Sequence, residues 1–142
     1  MSEFLKTFCN MEKYFVTYNQ SLTLKELGFD EPCIGKFDTQ QGGEWFLNIY
    51  SGHLNVQFND KSKACIAPLK SQAFEFFREK YGLHSFVDIY PTKEEPNRCW
   101  FMIRYIDRSI EEKEDYMSGW FSCQDKAEIY CLDKLIEIVK NK

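Results

Sequence analysis

Histidine is scarce in this chain, with only His53 and His84 among 142 residues. A Ser–His or Cys–His couple would have to use one of these two, and neither stands in a nucleophile motif. No Cys-x-x-Cys occurs, nor a His-x-x-x-His, a His-x-Glu with paired cysteines or an Asp-rich loop. Zinc ribbons, thioredoxin-type redox centres and calcium loops are thereby excluded. Gly42-Gly43 is followed by no Gly-Lys-Ser/Thr and no helix start, so it reads as a hairpin turn rather than a phosphate cradle. Basic charge is also short: 18 Lys and Arg stand against 22 Asp and Glu, a net charge of −4. With no basic stripe, a direct nucleic-acid partner is disfavoured. No apolar run approaches the ~20 residues of a membrane helix, which argues against a membrane partner. The N-terminus holds no apolar stretch of signal-peptide length. The six cysteines (9, 33, 65, 99, 123 and 131) are therefore expected to be reduced, mostly buried thiols in the cytoplasm.

What is abundant is aromatic: 13 Phe, 8 Tyr and 3 Trp, 17% of the chain. At this length one domain, 1–142, is expected, burying roughly two-thirds of its unfolded surface. Three helices can be placed. Thr17 and Gln20 form a capping box, and Gly28 ends that helix with Phe29 folding back on Leu24. A second follows Pro68, with Ala73, Phe74, Phe77 and Tyr81 at helical spacing, and stops at Gly82. The third is C-terminal, with a capping pattern at Ser122 and Asp125. Ala127, Cys131, Leu135 and Ile138 line its apolar face, flanked by Leu132, Ile136 and Val139.

Between the helices, residues 33–38, 44–50, 54–58, 84–90, 99–106 and 117–122 read as strands rich in aromatic and β-branched residues. Ser51-Gly52-His53 reads as a turn, and 93–98 as a hairpin connection. Short connections favour antiparallel pairing. The fold class expected is α+β, a mostly antiparallel sheet of about five to six strands packed with about three helices, in the order helix, three strands, helix, three strands, helix.

The strands do not alternate cleanly between apolar and polar, as a sheet covered on one side would. Trp45, Leu47 and Ile49 oppose Phe46, Asn48 and Tyr50. Val87 and Ile89 oppose Phe86, Asp88 and Tyr90, while Cys99, Phe101, Ile103 and Tyr105 oppose Trp100, Met102, Arg104 and Ile106. Each second face is aromatic around one polar group. If these strands neighbour one another, the face suits a ligand or partner. Its candidate binding residues are Arg104, Trp100, Asp88, Tyr90, Asn48, Tyr50 and Trp120, with Arg104 foremost because an arginine within an apolar strand needs a partner. The competing reading is that this face is covered, by residues 1–10 with Phe4, Leu5 and Phe8 at helical spacing or by a second copy. The acidic run Glu111-Glu112-Lys113-Glu114-Asp115 reads as a solvated loop or as a lure for a basic partner. No catalytic residue, metal or cofactor is expected.

Three blocks stand out together: Leu24-Lys-Glu-Leu-Gly-Phe-Asp-Glu-Pro-Cys33, Ser71-Gln-Ala-Phe-Glu-Phe-Phe-Arg-Glu-Lys-Tyr-Gly-Leu83 and Ala127-Glu-Ile-Tyr-Cys-Leu-Asp-Lys-Leu-Ile-Glu-Ile-Val-Lys140. On these, the chain resembles a family of small uncharacterised proteins of phages and mobile elements from Bacteroides-type gut bacteria. In such proteins the segment starting at Met11 often stands first, so residues 1–10 look like an N-terminal extension. The resemblance implies a bacterial cytoplasm and brings no catalytic residues. The expectation is a non-enzymatic accessory binding protein, inhibiting host defence by sequestering a small anionic ligand or blocking a host protein. The alternative is a structural or assembly component, a virion accessory or homo-oligomer with no small-molecule ligand.

Overall fold

The computed structural model describes residues 11–39, 45–54, 65–106 and 114–141; for Thr39 and residues 50–54 only the backbone is described. A short 3-10 turn (Glu12–Tyr14) leads into α1 (Tyr18–Glu26). There follow β1 (Cys33–Thr39), β2 (Trp45–Leu54), β3 (Cys65–Ala67), α2 (Lys70–Tyr81), β4 (Leu83–Ile89), β5 (Cys99–Tyr105), β6 (Tyr116–Met117) and α3 (Gln124–Lys140). The class is α+β, with the expected order of elements. The six strands are divided between two antiparallel sheets, β2-β1-β3 and β4-β5-β6. The chain divides into two compact units, Met1–Ala73 and Phe74–Lys142, with the division falling inside α2.

In the first unit, α1 starts where the sequence places it. The Thr17 side chain accepts from the Gln20 N–H at 3.2 Å, and the Thr17 N–H donates to Gln20 Oε1 at 3.0 Å, closing the capping box. Gly28, at φ 95°, ends the helix, and the Phe29 N–H donates to the Leu24 carbonyl at 2.9 Å. Phe15, Phe37, Leu47, Cys65 and Ala67 form the core, with Trp45, Ile49, Leu69, Ile34 and Tyr18 packed against it. Tyr18 lies stacked on Trp45 at 3.7 Å and edge-on to Phe37 at 5.8 Å. Gly35 is required by close approach: a Cβ there would lie 2.5 Å from Phe15 Cε1 and 3.1 Å from the Ala67 Cβ.

Three expectations need correcting in this unit. Ser51-Gly52-His53 is not a turn but part of β2, where the pairing jumps from Gly35↔Ile49 to Cys33↔Leu54; the surplus residues are taken up as an irregularity in the strand. β3, unforeseen, is three residues long, too short for an alternation to declare itself. Leu54, expected to open a strand, instead ends β2. The expected strand at 54–58 otherwise lies outside the described residues, as do Gly42-Gly43 and residues 1–10.

In the second unit β5 is central, with β4 and β6 on either side, and α3 packs on β4 and β5. Leu83, Cys99, Phe101 and Ile103 are buried on the strands, and Ala127, Cys131, Leu132 and Leu135 on the helix. This matches the helical spacing of the sequence. A row of rings, Tyr116–Phe101–Phe121–Tyr130, with neighbouring centroids 5.3 to 5.8 Å apart, runs across the same side. Gly82, at φ 65°, ends α2 as its N–H donates to the Arg78 carbonyl. The start of α3 differs from expectation. Its N-cap is Cys123, in extended conformation, and no side chain caps it, because Ser122 falls one residue too early. The strand expected at 117–122 is reduced to Tyr116–Met117 and an isolated bridge from Phe121 to Cys99.

Candidate interaction surface on the second sheet

The pairing of β4 with β5 sorts side chains into two faces. Leu83↔Tyr105, Ser85↔Ile103 and Val87↔Phe101 lie under α3; His84↔Arg104, Phe86↔Met102 and Asp88↔Trp100 lie on the opposite, outer face. Met117, paired with Met102, extends the outer face across β6. Tyr90 and Arg98 extend it past the strand ends, where the Tyr90 N–H donates to the Arg98 carbonyl at 2.8 Å.

Five of the seven candidate residues meet here. Arg104 is exposed and finds its partner in the acidic run: its Nε lies 3.2 Å from Asp115 Oδ2. The same Nε donates to Met102 Sδ at 3.1 Å, and the guanidinium lies 5.8 Å from the Phe86 ring centroid. Trp100 is half-buried, edge-on to Phe86 at 6.3 Å, and Asp88 is its cross-strand neighbour. Tyr90 and Trp120, 53% and 54% exposed, meet edge to face at 6.0 Å. Asn48 and Tyr50 belong to the other sheet, on β2. Asn48 Nδ2 donates to Asp38 Oδ2 at 2.6 Å, and Asp38 also pairs with Lys36 at 3.1 Å. Tyr50 is described only as backbone. Of the acidic run, residues 111–113 lie outside the described residues, while Glu114 and Asp115 are exposed.

Sequence reasoning missed Arg98. Its guanidinium lies 3.8 Å over the Trp120 ring, and its Nε is buried without a hydrogen-bond partner among the described residues. The signal was available: Arg98 stands two residues before Trp100, so the same alternation that groups Trp100 with Arg104 reaches back to it. Phe86 and Met117 complete an outer face of rings, thioether and two arginines. Such a surface can stack on planar groups, and its guanidinium planes can take a carboxylate or phosphate.

Two clefts border the second sheet. One, of 190 Å³, lies beside β4 between Phe74, Ser85, Phe86, Val87, Gln124 and Glu128. The other, of 240 Å³, opens along the ring row, where Lys134 Nζ sits 3.0 Å from Glu137 Oε1 and 4.6 Å over Tyr116. Neither is lined by His84, Asp88 or Arg104, which lie together on the open face. The buried thiols are poor nucleophiles at neutral pH. Burial pushes Cys33 up to about 12 and Cys65 to about 11; it also pushes Cys131 to about 12, against an opposing hydrogen bond with Ser85. No helix among the described residues is long and apolar enough to cross a membrane. The chain matches no family model, and no curated protein or solved structure matches it.

Proposed function

We propose that this chain acts by binding rather than catalysis, and that the outer face of the β4-β5-β6 sheet is its contact surface. The observation that carries this reading is the exposed group of Tyr90, Trp120 and Arg98. Two rings more than half exposed meet edge to face, and one of them, Trp120, covers a guanidinium whose Nε is buried and has no hydrogen-bond partner among the described residues. Aromatic and arginine side chains dominate binding hot spots because they offer large area with few rotatable bonds. In the setting implied by the resemblance to phage and mobile-element proteins, the partner would be a host protein, blocked by this face inside the bacterial cytoplasm. The Arg98 guanidinium lying over the Trp120 ring favours a second reading, capture of a small anionic ligand stacked beside Trp120.

Native mass spectrometry of the protein, gently purified from extract of its host, tests both. A co-purifying mass that is lost with Trp120→Ala and Arg98→Ala, but kept with Glu79→Ala on the exposed side of α2, supports the reading. A mass of a few hundred daltons indicates ligand capture; a protein-sized one indicates a blocked partner. A protein that carries nothing, or a bound mass indifferent to Trp120→Ala and Arg98→Ala, would refute the proposed surface.

A further inference from the structure

We infer that the free edge of β4 pairs with β4 of a second copy of this chain, antiparallel and centred on Phe86. β4 is the outer strand of its sheet. Two backbone bonds set its phase: the Tyr90 N–H donates to the Arg98 carbonyl, and the Ile106 N–H to the Gly82 carbonyl, both at 2.8 Å. In an antiparallel ladder, residues alternate between bonding the neighbour and pointing away from it. Residues 84, 86 and 88 therefore bond β5, and the N–H and C=O groups of Leu83, Ser85, Val87 and Ile89 point outward from the free edge. Among the described residues, none of these outward groups has a backbone partner.

Nothing in the strand protects that edge. It is seven residues long, with no proline, no lysine and no register shift, whereas β6 at the opposite edge has two residues. The 190 Å³ cleft is bordered by Ser85, Phe86 and Val87 in succession. Ser85 and Val87 face one side of the sheet and Phe86 the other, and the remaining walls of the cleft are Phe74, Gln124 and Glu128.

The occupant follows from the strand's own sequence. A two-fold axis through Phe86 pairs residues whose numbers sum to 172, which keeps outward groups opposite outward groups. That register is also the one that pairs all seven residues of both strands. It sets Ser85 opposite Val87 and Leu83 opposite Ile89 as hydrogen-bonded pairs, and Phe86 opposite Phe86. It also sets His84 opposite Asp88 twice, on the exposed face, where an imidazole N–H can donate to the carboxylate whether or not the ring is charged. Arg104 and Arg98 lie one strand further in, where Arg104 pairs with Asp115 and Arg98 is stacked on Trp120. The result would be one six-stranded sheet across two copies. This inference concerns the edge, not the outer face, and does not rest on the proposed function.

Sedimentation of the full chain over a range of concentrations tests it. The wild type is expected to show a monomer–dimer equilibrium. Val87→Pro removes an outward N–H that β5 does not use, so it should weaken the dimer at least ~tenfold while circular dichroism stays native. His84→Asp places carboxylates opposite one another and should weaken it about tenfold. The exchange His84→Asp with Asp88→His should restore it, and Trp120→Ala should leave it unchanged. A wild type that is monomeric at every concentration overturns the inference and leaves the edge to an extended segment of another protein. A dimer untouched by Val87→Pro also overturns it. An exchange variant as weak as His84→Asp alone overturns the register.

Discussion

The two units use the same sheet, three antiparallel strands, and spend their aromatic residues in opposite ways. In the first, Phe15, Phe37, Tyr18 and Trp45 interlock around β1, and Trp45 packs against the core. In the second, the side under α3 has its own row of rings, and the outer side keeps Phe86, Tyr90 and Trp120 at the surface. An aromatic excess is thus not one signal. Where a ring is stacked between strand and helix it contributes stability; where it stands in water beside an arginine it is available to something outside the chain.

The tryptophans sharpen that contrast most directly. Trp45→Ala should cost about 3 kcal/mol in urea denaturation, because it empties a stack against Tyr18 and the core. Trp120→Ala should cost less than ~0.5 kcal/mol, as for most exposed substitutions, while removing binding. Equal costs would erase the distinction between the two sheets. Next in size, Gly35→Ala should destabilise the first unit by about 2 kcal/mol, since the new methyl group meets the Phe15 ring and Ala67. A further effect, dependent on pH, is shared by both units. Cys33, Cys65 and Cys131 hold their protons to about 11 or 12 when folded, whereas an unfolded thiol loses its proton near 8.5. The unfolded state is the one that ionises first, so stability should fall as pH rises from about 8.5 toward 12. The loss by pH 10 is about 2 kcal/mol per thiol. Replacing all three by alanine should flatten this dependence in pH-resolved denaturation, and an unchanged slope would show that these thiols ionise as readily folded as unfolded.

The elements legible in the sequence were those written in adjacent residues. The Thr17–Gln20 box, Gly28 and Gly82 mark helix ends by local chemistry, and all three hold in the structure. The α3 start failed for the same reason in reverse: Ser122 and Asp125 have the spacing of a cap, but the backbone turns into the helix one residue later. Alternation told which residues share a face, and it grouped Asp88, Trp100 and Arg104 as the strands pair them. It carries no information on which strands are neighbours. Asn48 and Tyr50 therefore entered the candidate group although β2 lies in the other sheet, and Arg98 stayed out of it because it was read as part of a connection.

The Tyr18–Trp45 stack has an optical consequence. Of the three indoles, Trp45 alone belongs to the first unit and is held face to face with a phenol ring, whereas Trp120 meets water and a guanidinium. A variant retaining only Trp45 would report the opening of the first unit through its emission. One retaining only Trp120 would be quenched or shifted by whatever settles on the outer face. The chain therefore carries a separate built-in fluorophore for its packing and for its surface.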